Sequence, residues 1–460
     1  MIPDPVPGLL ARATQLLEQQ FASLPSFVPL ADPQDFDRVL EVVARRLGDN
    51  YPYFHPLYAG QMLKPPHPAA RVAYALAMTI NPNNHARDGG RASSEMEIEA
   101  VREIALMFGW SEFLGHLTSS GTLANLEALW VAGLSAPGKR IVGSEQAHYT
   151  HNRISAVLKL PFTPIAADSR GRMNLEALEA ELRKGDVGTV VVTLGTTAIG
   201  AVDPLDQICA LRERHHFRIH VDAAYGGYFR LIADSLDESA KGAFASIGLA
   251  DSIVVDPHKH GLQPYGCGCI LFRDPSVGRF YKHDSPYTYF TSRELHLGEI
   301  SLECSRAGAS AVALWATQRL LPLIPGGEFA RGLAQGRSAA LNLYRRLARH
   351  IRFQPLAAGP PELDIVVWKL NAESPHAASD LAQRVFAACA TRDLHLALVE
   401  LPLAWFQGPA GARQPGEGSG KANIPTVTCL RSVLMKPEHE AWMDRIWERL
   451  TGATAEVLEG

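Results

Sequence analysis

At 460 residues the chain exceeds the size at which one hydrophobic core usually keeps growing, so two or three domains with room for a buried site are expected. Its 47% hydrophobic and 20% charged residues match ordinary soluble usage, and 44 basic against 48 acidic side chains leave a net charge of −4, which argues against nucleic-acid and anionic-membrane partners. No charged start leads into an apolar stretch, no run nears the roughly 18 apolar residues of a membrane span, and the six cysteines form no C-x-x-C pair; a cytoplasmic, unexported chain with reduced thiols and no metal is expected.

Residues 1–66 are proline-rich, with one helix around Phe36 to Leu47 and then NYPYFHPLYAGQMLKPPHP, whose prolines forbid long regular structure; this reads as an arm, not a core. From 67 to 325, helical stretches such as EMEIEAVREIALMFGW and GTLANLEALWVAGL alternate with the β-rich runs KRIVGS, GTVVVTLG, RIHVDAA, DSIVVD and GCILF. That alternation predicts an α/β domain with a mostly parallel sheet covered on both faces, and functional residues just beyond the strand ends. From 326 to 460 the pattern changes to a long helix, a strand DIVVWKL, another helix and a last strand near PTVTCLRSVL, a smaller α+β domain.

Four features at the predicted strand ends belong together. Thr118 to Thr122 precede an apolar-periodic helix, so hydroxyls and free backbone N–H groups converge at a helix N-terminus, a cradle for phosphate. His148 follows the strand KRIVGS, Asp222 ends the strand RIHVD beside small residues, and Lys259 stands just past SIVVDP. A phosphate site, a histidine, a carboxylate and an amine are what pyridoxal 5′-phosphate asks for: an anchor, a ring face, a partner for the ring nitrogen and a nucleophile for the aldehyde.

The motifs DPHKHG, HVDAAYGG, TSSGTLANLEAL and SEQAHYTHNR resemble those of the group II pyridoxal-phosphate-dependent amino acid decarboxylases, which include glutamate, aromatic amino acid and bacterial tyrosine decarboxylases. The resemblance implies the aspartate aminotransferase-like fold, type I, and a homodimer. It implies Lys259 as the lysine that bonds the cofactor aldehyde, Asp222 at the pyridine nitrogen, Ala224 and His148 on the two ring faces, and Thr196 near the ring. Ser120, Gly121, Thr122 and His258 would meet the phosphate. Asp256 departs from several relatives, which carry Asn or Ser there, and a carboxylate would repel phosphate unless it turns away or pairs with a base.

The family protonates the substrate carbon with a tyrosine on a loop; the matching stretch is residues 280–299, where Tyr287 is the expected acid and Tyr289 its alternative. The segment HPLYAGQMLKPP resembles the family's substrate-lining stretch, so Tyr58, Gln61, Met62 and Leu63 are expected at the substrate. Their apolar and neutral polar mixture suits a tyrosine-like aromatic amino acid. An acidic substrate would instead need a cation, for which Lys64, His85 or Arg87 stand nearby. Arg431 keeps an aminotransferase in view, since those enzymes use a late arginine for the α-carboxylate.

Overall fold

The β-branched runs of the middle segment form a seven-stranded sheet in the computed structural model, which describes residues 4–26, 36–282, 297–407 and 425–459. Its strands are β1 (Leu114–Thr118), β2 (Arg140–Ser144), β3 (Phe162–Ile165), β4 (Val187–Thr193), β5 (Arg218–Asp222), β6 (Ser252–Val255) and β7 (Gly268–Phe272), in the order β1-β7-β6-β5-β4-β2-β3. Strand β7 runs against both neighbours, while β6, β5, β4, β2 and β3 are parallel. All seven residues of β4 are buried, as a parallel strand covered on both faces requires. With β1 also antiparallel to β7, six strands deliver their C-terminal ends to one edge, and the loops beyond that edge can share a crevice.

The second sheet contains β8 (Phe353–Pro355), β9 (Ile365–Leu370), β10 (Ala397–Pro402) and β11 (Thr426–Val433), antiparallel throughout in the order β10-β11-β9-β8. Helices Glu328–Arg349, Pro375–Ala390 and Glu438–Glu459 supply Leu343, Leu347, Val385, Ile446 and Leu450 to the core around Trp368. The sequence pattern anticipates β9, β11 and two of these helices, and misses β8, β10 and the last helix. Strand β8 has only three residues and β10 buries just two of six, so neither carries an apolar period long enough to stand out.

The arm differs from its reading in two respects. A helix at Val6–Gln20 precedes the expected one; it buries only Val6 and is tied down by Asp4, whose carboxylate meets Arg71 at 2.7 Å. At its far end the arm is core: Leu57 and Ala59 are buried in the second cluster, and Ala59 N–H donates to His395 C=O at 2.9 Å while Val433 N–H donates to Ala59 C=O at 2.8 Å. Gly60 permits this, because a Cβ there would lie 2.6 Å from the Leu396 carbonyl oxygen. The helix Phe36–Leu47 buries none of its residues.

Candidate active site

Four parallel strand ends and one helix N-terminus surround a cavity of about 190 Å³. Lining it are Ser120, Gly121 and Thr122 at the helix start, His148 and Thr150 after β2, Thr193 and Thr197 after β4, Asp222, Ala224 and Tyr225 after β5, and Asp256, His258 and Lys259 after β6. The register of β5 and β6 pairs Asp222 with Val254, so the carboxylate and the amine come from adjacent strand ends. A hollow this large exceeds several times the share of one water, about 30 Å³.

At the helix Gly121–Ser135, Ser120 is the N-cap and its hydroxyl accepts from Leu123 N–H at 3.3 Å. The first-turn amides, which a helix leaves without intrahelical partners, sit where Gly121 and Thr122 line the cavity. Gly121 is required by close approach: a Cβ would stand 2.6 Å from each carboxylate oxygen of Asp256.

Asp256 resolves its own departure by pairing with bases. Its Oδ2 lies 3.1 Å from Lys259 Nζ and 3.5 Å from His258 Nε2. His258 donates from Nδ1 to the Cys267 carbonyl at 2.7 Å, and burial lowers its pKa below the usual imidazole value. Asp256 Oδ1 and Thr193 Oγ1 are buried without a hydrogen-bond partner among the described residues.

Asp222 is held from three sides. Its Oδ2 accepts from His151 Nε2 at 2.8 Å and from Asn125 Nδ2 at 3.4 Å, and its Oδ1 accepts from Ala224 N–H at 3.1 Å. Burial works to raise this carboxyl, but the hydrogen bond and charge of His151, helped by Lys259, outweigh it and leave the group well below the usual carboxylate range. Asn125 Oδ1 in turn meets His220 Nε2 at 2.8 Å, and His220 Nδ1 meets Ser252 Oγ at 2.9 Å. Burial pushes His220 down to about 3, so it is neutral; an amide oxygen only accepts, which places its proton on Nε2. His148 presents a half-buried ring to the cavity, with Nδ1 accepting from Thr150 N–H at 3.3 Å and its pKa lowered by burial.

The cavity thus brings together Lys259, His148, Asp222, Ala224, His258, Ser120, Gly121 and Thr122. Thr196 is set back: it is fully buried, its hydroxyl accepts from Ala201 N–H at 3.0 Å, and Thr197 lines the cavity instead. Tyr58, Gln61, Met62 and Leu63 do not line the cavity either. Tyr58 is buried and its hydroxyl is turned to Gln61 N–H at 3.4 Å, because the arm folds into the second core; the Met62 carbonyl accepts from Tyr265, whose ring packs on His258 at 4.8 Å. Gln61 reaches Arg431, whose guanidinium also donates to the carbonyls of Thr197 and Ala198 at 2.7 and 2.9 Å. Tyr287 and Tyr289 lie outside the described residues. Sequence reasoning missed His151, Asn125, Thr150, Thr193 and Tyr225; the one available signal was the second histidine of the HYTH stretch, His151, in the first turn of the helix that follows His148.

The residues fit a ring that carries a phosphate, a basic nitrogen and an aldehyde: helix amides at one end of the cavity, an ionised carboxylate at another, an amine beside it. Residues 34–323 match the family model described as pyridoxal-dependent decarboxylase conserved domain. An L-tyrosine decarboxylase of Enterococcus faecium is 29% identical over 394 residues, 64% of each chain. One of Levilactobacillus brevis is 30% identical, over 55% of this chain and 56% of that one. The matches therefore span less than two thirds of those relatives' length. A probable L-tyrosine/L-aspartate decarboxylase of Methanothermobacter thermautotrophicus is 29% identical over 70% of this chain and 85% of its own. Among solved structures, mouse CSAD in apo form superposes with a TM-score of 0.76 at 21% identity, covering 95% of this chain and 91% of that one. Oryza sativa TDC with PLP and tryptamine gives 0.76 at 16%, covering 99% of both chains. These likenesses show the fold, type I.

Proposed function

As the chain belongs to the pyridoxal-dependent decarboxylase family, we propose that it removes the α-carboxylate of an L-amino acid as CO2 and releases the amine, with a tyrosine-like aromatic substrate. The observation that carries this reading is the meeting of Lys259 with Asp222 from adjacent strand ends in one cavity. When bound, pyridoxal phosphate supplies an electron-accepting ring that stabilises the carbanion left by CO2. The chain's residues do the rest. The amides and hydroxyls of Ser120 to Thr122 hold the phosphate, with His258 beside it, and Ala224 and His148 confine the ring. Asp222 would hold the proton on the ring nitrogen, Lys259 would tether the cofactor by its aldehyde until substrate arrives, and Tyr287 would supply the proton that replaces the carboxylate.

Two observations support the aromatic substrate. The relatives include L-tyrosine decarboxylases, and two of the nearby cations that an acidic side chain would need, Lys64 and Arg87, are engaged elsewhere. Lys64 is half-buried and donates to the Met435 carbonyl at 3.3 Å, and Arg87 pairs with Glu95. Aspartate is the second reading, favoured by relatives named for both amino acids. The guanidinium of Arg431 is spent on backbone carbonyls and Gln61, which speaks for decarboxylation over transamination. We further propose a cytoplasmic homodimer to which the arm of residues 1–66 contributes, with the site near the subunit boundary.

Assaying CO2 release from the twenty amino acids tests the reaction: release from tyrosine or a close analogue is expected, release from aspartate alone shifts the substrate, and amino transfer without CO2 overturns the reading. Borohydride reduction followed by peptide mapping is expected to place a pyridoxyl label on Lys259. A label on another lysine overturns that assignment.

A further inference from the structure

Asp222 has a partner for which the proposed reaction, as stated, has no use. His151 is fully buried on the helix Thr150–Val157, and its Nε2 approaches Asp222 Oδ2 at 2.8 Å. An ionised carboxylate only accepts, so Nε2 carries the proton. The other ring nitrogen, Nδ1, is buried and has no hydrogen-bond partner among the described residues. Such an orphaned nitrogen is costly, and an apolar side chain would avoid that cost. The imidazole is therefore retained for what Nε2 does.

On the same oxygen, Asn125 donates from Nδ2, which the acceptor-only carboxylate requires, while its Oδ1 accepts from His220, itself held by Ser252. The charged or titratable groups acting on the carboxylate are His151 and His148 from the segment after β2, His220 on β5 itself, and Lys259 after β6, with Asp256 beside Lys259 and His258. Of these, His151 is the one in direct hydrogen-bond contact with it.

We propose that His151 is a positioning residue that keeps Asp222 ionised and its Oδ2 directed away from the cavity, so that the carboxylate leaves the proton on the cofactor's ring nitrogen. This inference rests on the pyridoxal phosphate reading above. A carboxylate in so buried a place, without its strong donor, gains proton affinity, and a proton shared with a pyridine nitrogen then moves toward the carboxylate. The ring would stay in place as a weaker electron acceptor.

The test is the 15N shift of the ring nitrogen in protein reconstituted with ring-labelled pyridoxal phosphate, read from pH 6 to 8 in the parent, His151→Leu and His151→Gln. The parent is expected in the protonated range throughout. His151→Leu is expected to move most of the signal to the unprotonated range and to cut turnover about 10- to 100-fold, the scale of one charge-assisted hydrogen bond. His151→Gln, whose amide donates from nearly the same position, is expected to recover part of the parent shift, which a purely space-filling role would not do. A His151→Leu protein that binds the cofactor and keeps the parent shift overturns the proposal. Should His151→Leu fail to fold, imidazole NMR of the cofactor-free parent decides: a hydrogen-bonded, protonated Nε2 on His151 supports the role, and its absence overturns it. A parent that binds no pyridoxal phosphate would sink the cofactor reading while leaving that imidazole measurement interpretable by itself.

Discussion

Asp222 is buried, and against that burial its hydrogen bond to His151 holds the carboxyl well below the usual carboxylate range. Asp222→Asn keeps the amides of Ser120 to Thr122 and the Lys259 amine, so the protein is expected to retain bound cofactor. It loses the counter-charge for the ring nitrogen, and turnover is expected to drop by at least about 100-fold, as when other preorganised electrostatic partners are removed. Visible absorption checks the cofactor and CO2 release the turnover; activity within a few-fold of the parent would contradict the role. Tyr287→Phe separates bond breaking from protonation. CO2 can still leave, but without the proposed general acid, amine formation is expected to slow by about 10²- to 10⁴-fold while aldehyde and pyridoxamine phosphate accumulate together, or aldehyde forms with consumption of molecular oxygen. Product analysis by chromatography reads this, and side products from Tyr289→Phe in place of Tyr287→Phe would exchange the two assignments.

At the level of elements, the site depends on how tightly a helix start is pressed against a strand end. A methyl group at position 121 would come within 2.6 Å of the Asp256 carboxylate, which cannot retreat without giving up Lys259 at 3.1 Å. Gly121→Ala is therefore expected to weaken pyridoxal phosphate binding by about tenfold or more, given the ~1–3 kcal/mol that overpacking costs, as equilibrium dialysis would measure. The junction of the two sheets has its own titrating element. Glu362, just before β9, accepts from Val202 N–H at 2.6 Å, and its other oxygen lies 3.8 Å from Arg170 and 3.9 Å from Arg172. Burial pushes its carboxyl up from 4.5 to about 7, against the pull of the Val202 amide. The folded protein then holds a proton that the unfolded chain has released, so this contribution to stability is present below pH 4.5 and is lost as pH rises toward 7. Thermal unfolding of Glu362→Gln at pH 5 and pH 8 is expected to show a smaller fall in midpoint than the parent; equal falls would remove Glu362 as the cause.

For the whole molecule, the open question is what covers the helix Phe36–Leu47. It is amphipathic, and yet Phe36 and Leu47 are 60% and 63% exposed, with Val39, Leu40 and Val43 nearly as open. A single chain leaves that stripe in water, and the proposed homodimer would offer a second copy to cover it. Deleting residues 1–50 is expected to yield aggregation or loss of the dimer on size-exclusion chromatography with light scattering. A soluble, active monomer would refute the proposed dimer.

Much of the site is legible in the chain because its residues sit in short contiguous motifs at strand ends. Ser120 to Thr122, His148, Asp222 and Lys259 each follow an apolar run, and a parallel sheet sends such positions to one edge whatever the details of packing. The alternation of strand and helix determined the large sheet for the same local reason. What depends on distant segments stayed hidden. His151 and Asn125 meet Asp222 only after two helices dock beside β5, and Thr197 displaces Thr196 because a turn hydrogen bond to Ala201 takes the Thr196 hydroxyl. Tyr58 and its neighbours read as pocket residues, but the second core draws in Leu57 and Ala59 and carries the segment away from the cavity wall. Strand-end chemistry is written in consecutive residues, whereas second partners and arm placement depend on contacts between segments up to hundreds of residues apart, which only the folded chain brings together.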